Sequence, residues 1–266
     1  METVQTLETL IVERNNGVVT VTMNRPERKN AANAAMIKEL FETFQEIERS
    51  LDDRVMILTG AGGAFCSGAD LGDRSADKAK EADPHLFRMR RLGDVALALH
   101  RISKPTIAKV DGFAVGAGFS LALGCDLVVA STTAKMSLIF SKRGLSLDNG
   151  ASWILPRLVG IAKAKELAFF AEMLDASTAL EAGLVNRVVS PQELDAFVNA
   201  WAVQLSAGPP QALSMTKSLL NGSMLASMEM AVENEARCQS VNFTSVDTTE
   251  AIKAFAEKRD PKFIGR

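Results

Sequence analysis

The chain has 266 residues, 47% of them apolar, and a formal net charge of −2 with its acidic and basic residues interspersed. That is ample for one large core, with or without a helical appendage, and the bulk charge gives no reason to expect nucleic-acid binding. Three scattered cysteines (Cys66, Cys125, Cys238) and two histidines (His85, His100) argue against a disulfide framework and a structural metal site, and favour a reducing, cytoplasmic setting.

The first residues, Met1 to Glu8, are acidic and polar and read as neither a secretory signal nor an Arg-rich transit peptide. No apolar run approaches the ~18 residues of a membrane span. Leu10–Val12 and Val18–Met23 read as paired strands around the Asn-Gly turn Asn15-Asn16-Gly17. Residues 34–51 read as an amphipathic helix, with Ile37, Leu40, Phe41, Phe44, Ile47 and Leu51 on one stripe. A strand at 55–59 follows, then a glycine turn and a polar segment from Asp73 to Pro84. A helix at 85–101, a strand at 106–110, a second glycine turn and a helix at 117–123 come next. Val128–Ala130 and Ser137–Ile139 read as short strands. Beyond Ala151 the pattern is mostly helical, with candidates at 151–158, 162–173, 191–206, 210–220, 227–242 and 247–257. No Pro/Gly/Ser-rich spacer marks a free hinge.

The two glycine-rich stretches carry the chemistry. They are Gly60-Ala61-Gly62-Gly63-Ala64-Phe65-Cys66-Ser67-Gly68-Ala69-Asp70-Leu71 and Asp111-Gly112-Phe113-Ala114-Val115-Gly116-Ala117-Gly118-Phe119-Ser120-Leu121, each after a strand-like run. Glycine lets backbone approach a bound group and lets N–H groups point outward. Two such turns can aim two N–H groups at one oxygen, the requirement of an oxyanion hole. They also suit purely structural strand-to-helix turns. Neither carries the Lys of a phosphate loop, and no Rossmann fingerprint follows the first strand.

In these residues the chain resembles the crotonase superfamily, the enoyl-CoA hydratase/isomerase family. Asn24-Arg25-Pro26-Glu27-Arg28-Lys29-Asn30-Ala31, Lys104-Pro105-Thr106-Ile107-Ala108, Leu121-Ala122-Leu123-Gly124-Cys125-Asp126 and the tail Lys258-Arg259-Asp260-Pro261-Lys262-Phe263 agree in order and spacing, so the likeness runs from about Leu10 to Phe263. The resemblance implies an α/β fold, a spiral of repeated β-β-α units over residues 1–200, with a C-terminal helical oligomerisation region over 201–266. It implies a homotrimer or hexamer, an acyl-CoA thioester substrate, and no cofactor or metal beyond the coenzyme A of that substrate. No nucleic-acid or membrane partner is expected.

By family position the oxyanion donors are the N–H groups of Ala69 and Ala117. The two glutamates that hydratase members use fall at Ser120 and Phe140, and neither residue moves a proton usefully at neutral pH. Gly144-Leu145-Ser146-Leu147-Asp148-Asn149-Gly150 resembles a segment carrying an aspartate in isomerase-type members, which makes Asp148 the candidate proton shuttle. Burial among Leu145, Leu147, Phe140 and Trp153 would raise its pKa. Asp148 also suits a helix N-cap, or the nucleophile of the superfamily's aromatic dehalogenases, with Phe140 and Trp153 embracing a ring.

For coenzyme A the resemblance points to Arg28, the stretch of Ala64, Ser67, Gly68, Asp70 and Leu71, Gly116, Phe140, and Lys258 or Lys262 from a neighbouring subunit. The 73–84 segment would lie over the acyl pocket, where His85 is a further substrate contact. The leading reading is isomerisation of an enoyl-CoA or ring acyl-CoA. The alternatives are hydration of a 2-enoyl-CoA, with Asp73 or Glu81 as carboxylates, and a non-catalytic acyl-CoA- or RNA-binding protein. His100 reads as a cap or surface group.

Overall fold

The computed structural model describes residues 2–72 and 85–265. The strands are β1 (Thr3–Thr6), β2 (Leu10–Asn15), β3 (Val18–Met23), β4 (Val55–Gly60), β5 (Thr106–Val110), β6 (Phe113–Val115), β7 (Leu127–Ser131), β8 (Lys135–Ser137), β9 (Leu174–Asp175) and β10 (Arg187–Val189). The helices are α1 (Ala34–Arg49), α2 (His85–Arg101), α3 (Ala117–Gly124), α4 (Ala151–Phe170), α5 (Ala176–Glu181), α6 (Pro191–Ser206), α7 (Pro210–Ser223), α8 (Met228–Asn242) and α9 (Val246–Glu257).

Seven strands form one sheet in the order β1-β2-β3-β4-β5-β7-β10, and three form a second, β6-β8-β9. The large sheet is antiparallel through β1, β2 and β3 and parallel from β3 onward. The chain alternates between the two sheets. β5 is followed by β6 and then α3; β7 is followed by β8 and, after a 3-10 turn at Ile139–Arg143, by α4. β4 begins the same sequence, because Cys66 makes a parallel bridge to Ala114 of β6. This is the expected spiral of β-β-α units.

Side-chain alternation builds two cores on the large sheet. Met56, Leu58, Ala108, Val110, Val128 and Ala130 point into the main core with α1, α2 and α3. Val55, Ile57, Ile107 and Val129 point the other way, against Leu194, Val198 and Ala202 of α6. Parallel strands buried on both faces need near-continuous apolar runs, and Val55 to Leu58 is one. Residue 201, where the helical region was expected to begin, falls inside α6. That helix packs on the sheet through Ala202, and α7 follows from Pro210.

Several local expectations change. α1 ends at Arg49, where Ser50 turns extended, so Leu51 is 96% exposed rather than part of the buried stripe. The second short strand is Lys135–Ser137, and Ile139 belongs to the 3-10 turn. The two helices expected at 151–158 and 162–173 form one kinked element, broken at Gly160 (φ 75°, ψ 159°) and ended by left-handed Ala171. The polar segment 73–84, with Asp73 and Glu81, lies outside the described residues, so expectations placed on it go no further. Among the described residues, no helix is long and apolar enough to cross a membrane.

Candidate active site

The site starts from backbone that only glycine allows. A β-carbon on Gly118 would fall 2.3 Å from the Cys66 carbonyl oxygen, and one on Gly112 would fall 2.0 Å from that of Gly63. The two glycine segments are pressed together at these points. Cys66 N–H donates to Phe113 O at 2.9 Å, and Val115 N–H to Cys66 O at 2.9 Å. Gly68 takes φ +99°, and a β-carbon there would lie 3.9 Å from the Ala117 nitrogen.

This pairing decides which amides are left over. In the first segment Ser67 N–H donates to Lys29 O, and Ala32 makes a parallel bridge to Ala69 through Gly68 O and Asp70 N–H, at 2.8 and 2.9 Å. A parallel bridge uses the groups flanking the bridged residue, so Ala69's own N–H points away from Ala32. In the second segment Gly116 N–H donates to Ser137 O at 2.8 Å, and Ala117 is the first residue of α3. Its N–H has no intrahelical acceptor, and it sits at the end of the helix that favours negative charge. Among the described residues, neither the Ala69 nor the Ala117 N–H has a hydrogen-bond acceptor. The two expected donors are free, on neighbouring segments. Ala69 is exposed and Ala117 buried.

The first segment is held from behind by residues that the sequence reading treated only as part of a motif. Asn30, fully buried and left-handed (φ 55°), donates from Nδ2 to Ala61 O at 2.8 Å and Ala64 O at 2.7 Å, and its Oδ1 accepts from Arg25 N–H at 2.8 Å. Arg25 pairs with Asp70 at 3.0 Å and also donates to Ala31 O. Asp70 was a candidate coenzyme A contact, but its carboxylate is engaged with Arg25 and with Gly72 N–H. The Asn-Arg-Pro-x-x-x-Asn spacing ahead of the glycines was the available signal for both residues.

Ser120 is fully buried on α3, with Oγ donating to Gly116 O at 3.2 Å. Phe140 is buried in the 3-10 turn as part of the main core. Neither position carries a proton-transfer group.

Asp148 stands on the turn between Phe140 and α4, and its Oδ1 is out of solvent contact. It is not the helix cap: left-handed Gly150 takes that place without any side-chain bond, and the Asp148 carbonyl accepts from Ala151 N–H at 3.1 Å. Asn149, beside it, is buried and left-handed and donates from Nδ2 to Ala117 O at 3.4 Å. This ties the Asp148 turn to the helix that begins with Ala117. The expected apolar wrapping is thinner than the sequence suggested, since Leu145 and Trp153 are 45% and 37% exposed. Trp153 instead carries the Arg157 guanidinium 3.9 Å above its ring and meets His100 edge-on at 5.3 Å. His100 is half-buried rather than a surface cap. Its pKa is lowered by burial and then by the positive charge of Lys217.

Of the other candidates, Ala64 is buried behind the loop, Leu71 is exposed, and Gly116 turns the chain at φ 57°. Ser67 Oγ bonds to the carbonyl of Arg28, whose side chain is exposed beside the first segment. Lys258 and Lys262 are not brought there by their own chain. Their tail is fixed at the opposite end of β4, where Arg54 donates to Phe263 O at 3.0 Å, a strand length of ~17–20 Å from the glycine loop. Among the described residues, no group of three or more His, Cys, Asp or Glu is placed to hold a metal.

Comparison with known proteins identifies the family. The family model for enoyl-CoA hydratase/isomerase matches residues 13–266. The chain belongs to the enoyl-CoA hydratase/isomerase family. It is 36% identical over 261 residues to the 1,2-epoxyphenylacetyl-CoA isomerase of Escherichia coli (strain K12), covering 98% of this chain and 100% of that one. It is 34% identical over 258 residues to the short-chain-enoyl-CoA hydratase of Clostridium acetobutylicum, covering 95% and 96%. The crystal structure of an enoyl-CoA hydratase from Bacillus anthracis superposes with a TM-score of 0.92 at 28% identity, covering 97% of this chain and 100% of the other.

Proposed function

We propose that this protein isomerises an acyl-CoA thioester, an enoyl-CoA or a ring-bearing acyl-CoA, with Asp148 as its proton shuttle. One observation carries the reading. The two positions that hydratase members fill with glutamate hold Ser120, closed onto its own helix, and Phe140, sunk in the core. The carboxylate of Asp148 stands on the turn that Asn149 joins to Ala117.

The chemistry follows from the backbone. The thioester oxygen lies between the N–H groups of Ala69 and Ala117, which strengthen their hold as negative charge builds on it. Asp148 takes a proton from one carbon, and the electron pair moves through the conjugated system onto that oxygen as an enolate. The same carboxyl group returns the proton at another carbon, so nothing is added and the carboxylate is regenerated. A hydratase needs a second group to activate water, and neither Ser120 nor Phe140 supplies one.

The reading extends to the assembly. Arg28 and the 64–71 backbone meet coenzyme A, and Lys258 and Lys262 reach it from a neighbouring copy. Exposed Leu220, Leu225, Met228, Phe243 and Phe255 on or beside α7, α8 and α9 favour a homotrimer or hexamer built through residues 201–266. The protein works in the cytoplasm without a cofactor other than its substrate's coenzyme A.

The hydratase reading draws support from the similarity to the short-chain-enoyl-CoA hydratase of Clostridium acetobutylicum. Product analysis separates the two. Purified protein is incubated with 2-enoyl-, 3-enoyl- and ring-epoxide acyl-CoA thioesters. The expected product has unchanged mass and a new retention time, and is lost in Asp148→Asn. A product heavier by one water overturns the isomerase reading. Binding of the thioesters without turnover favours a non-catalytic role.

A further inference from the structure

We infer that Asn149 is a positioning residue that sets the distance between the proton shuttle and the oxyanion donors. The inference rests on Asp148 acting as the shuttle. Asn149 is 5% exposed, and its carboxamide is used on one side only: Nδ2 donates to Ala117 O at 3.4 Å, while Oδ1 is buried with no hydrogen-bond partner among the described residues. A buried carbonyl oxygen without a donor is a cost that folded proteins rarely retain. Stability alone is a poor reason to keep this side chain. Glycine would serve the left-handed backbone (φ 52°) without orphaning an oxygen.

The Nδ2 bond adds a directed polar tie between segments that also share the main core. Asp148 lies on the turn before α4, and Ala117 begins α3, after the second glycine segment. The turn has two successive left-handed residues, Asn149 and Gly150, and Gly150 caps α4 without a side-chain bond. Asn149 therefore holds the turn against the helix whose first N–H receives the substrate oxygen. In a proton transfer, a shift of about 1 Å costs on the order of 100-fold in rate.

The test compares Asn149→Gly, Asn149→Asp and Asp148→Asn on whichever acyl-CoA thioester the wild type turns over. Glycine keeps the left-handed turn and removes the carboxamide; aspartate keeps the shape and replaces the donor with an acceptor. If Asn149 positions the shuttle, both lose about 10- to 100-fold in kcat with KM changed by less than about threefold, and Asn149→Gly melts within a few degrees of wild type. Wild-type kcat in Asn149→Gly overturns the inference, as does a joint fall in kcat, Tm and thioester binding, which marks a merely structural residue. Full activity in Asp148→Asn, or no turnover by the wild type, overturns the shuttle reading and this inference with it. An inactive Asp148→Asn beside an unimpaired Asn149→Gly removes this inference alone.

Discussion

Gly118 and Cys66 touch backbone to backbone: a β-carbon on Gly118 would lie 2.3 Å from the Cys66 carbonyl oxygen and 2.7 Å from the Cys66 β-carbon. Cys66 is itself fixed by Phe113 O and Val115 N–H, so it cannot step aside. Gly118→Ala is expected to destabilise the fold by about 1–3 kcal/mol or more, the range for overpacking a core. It should also lower activity, because relief of the clash separates the two segments that carry the free amides. Chemical unfolding together with kcat/KM checks both. An alanine variant with wild-type stability would mean the contact is looser than the geometry requires.

The oxyanion assignment can be tested at the backbone N–H itself. Ala117 is the first residue of α3, the helical position at which proline is best tolerated, since the N–H it lacks is not needed by the helix. Ala117→Pro deletes one donor while keeping the helix. Turnover is expected to fall about 100- to 1,000-fold, as for loss of one oxyanion donor. Far-ultraviolet circular dichroism should be unchanged. If the alanine were only a small packing residue, Ala117→Ser would impair activity as much as Ala117→Pro.

Much of this was legible because local chemistry and fold agree. Asn16 and Gly17 read as a hairpin turn, and both adopt left-handed backbone (φ 49° and 81°). The runs at β4, β5 and β7 read as strands because burial on both faces keeps them mostly apolar, with Thr59, Thr106, Lys109 and Ser131 as the polar exceptions. What the sequence hid is of two kinds. β6, β9 and β10 have two or three residues each, too few to show a period, and exist because tertiary pairing completes them. Asn30 reaches carbonyls at Ala61 and Ala64, more than thirty residues away, and no periodicity records such a bond. Phe140 fills a family position, and its burial in the core is a packing fact that the position alone does not record.

Two thiols make the protein sensitive to alkali. Burial pushes the Cys66 thiol up to about 11 and the Cys125 thiol up to about 12. Both lie above the unfolded value of about 8.5. The unfolded chain therefore releases these protons first as pH rises. Stability is complete below about pH 8.5 and falls between there and the folded values, at up to about 1.4 kcal/mol per pH unit for each thiol. Urea unfolding at pH 7.5, 9 and 10.5 should show the decline, smaller in Cys125→Ala after allowance for its lost packing. In the native state at pH 8, a thiol reagent should modify Cys238, which is partly exposed, and leave Cys66 and Cys125 untouched.

Lys217 ties α7 to the core. It donates to Asp126 Oδ2 at 2.7 Å and to Lys104 O at 3.1 Å, with its side chain 11% exposed. α7 has no fully buried residue of its own, so this one cation does a large share of its anchoring. In Lys217→Met, Asp126 keeps its bonds from Thr106 N–H and Oγ1, at 2.8 and 2.9 Å, and is not left bare. The loss should therefore fall below that of a fully buried pair, at about 1–3 kcal/mol. It should appear first as faster hydrogen exchange across α7, ahead of any change in the sheet. His100 reports the same event. Its pKa is lowered by burial first and by Lys217 second, so removing the lysine should raise it. An imidazole titration by NMR that moves downward or not at all, with α7 exchange unchanged, would mean that Lys217 does not anchor the helix.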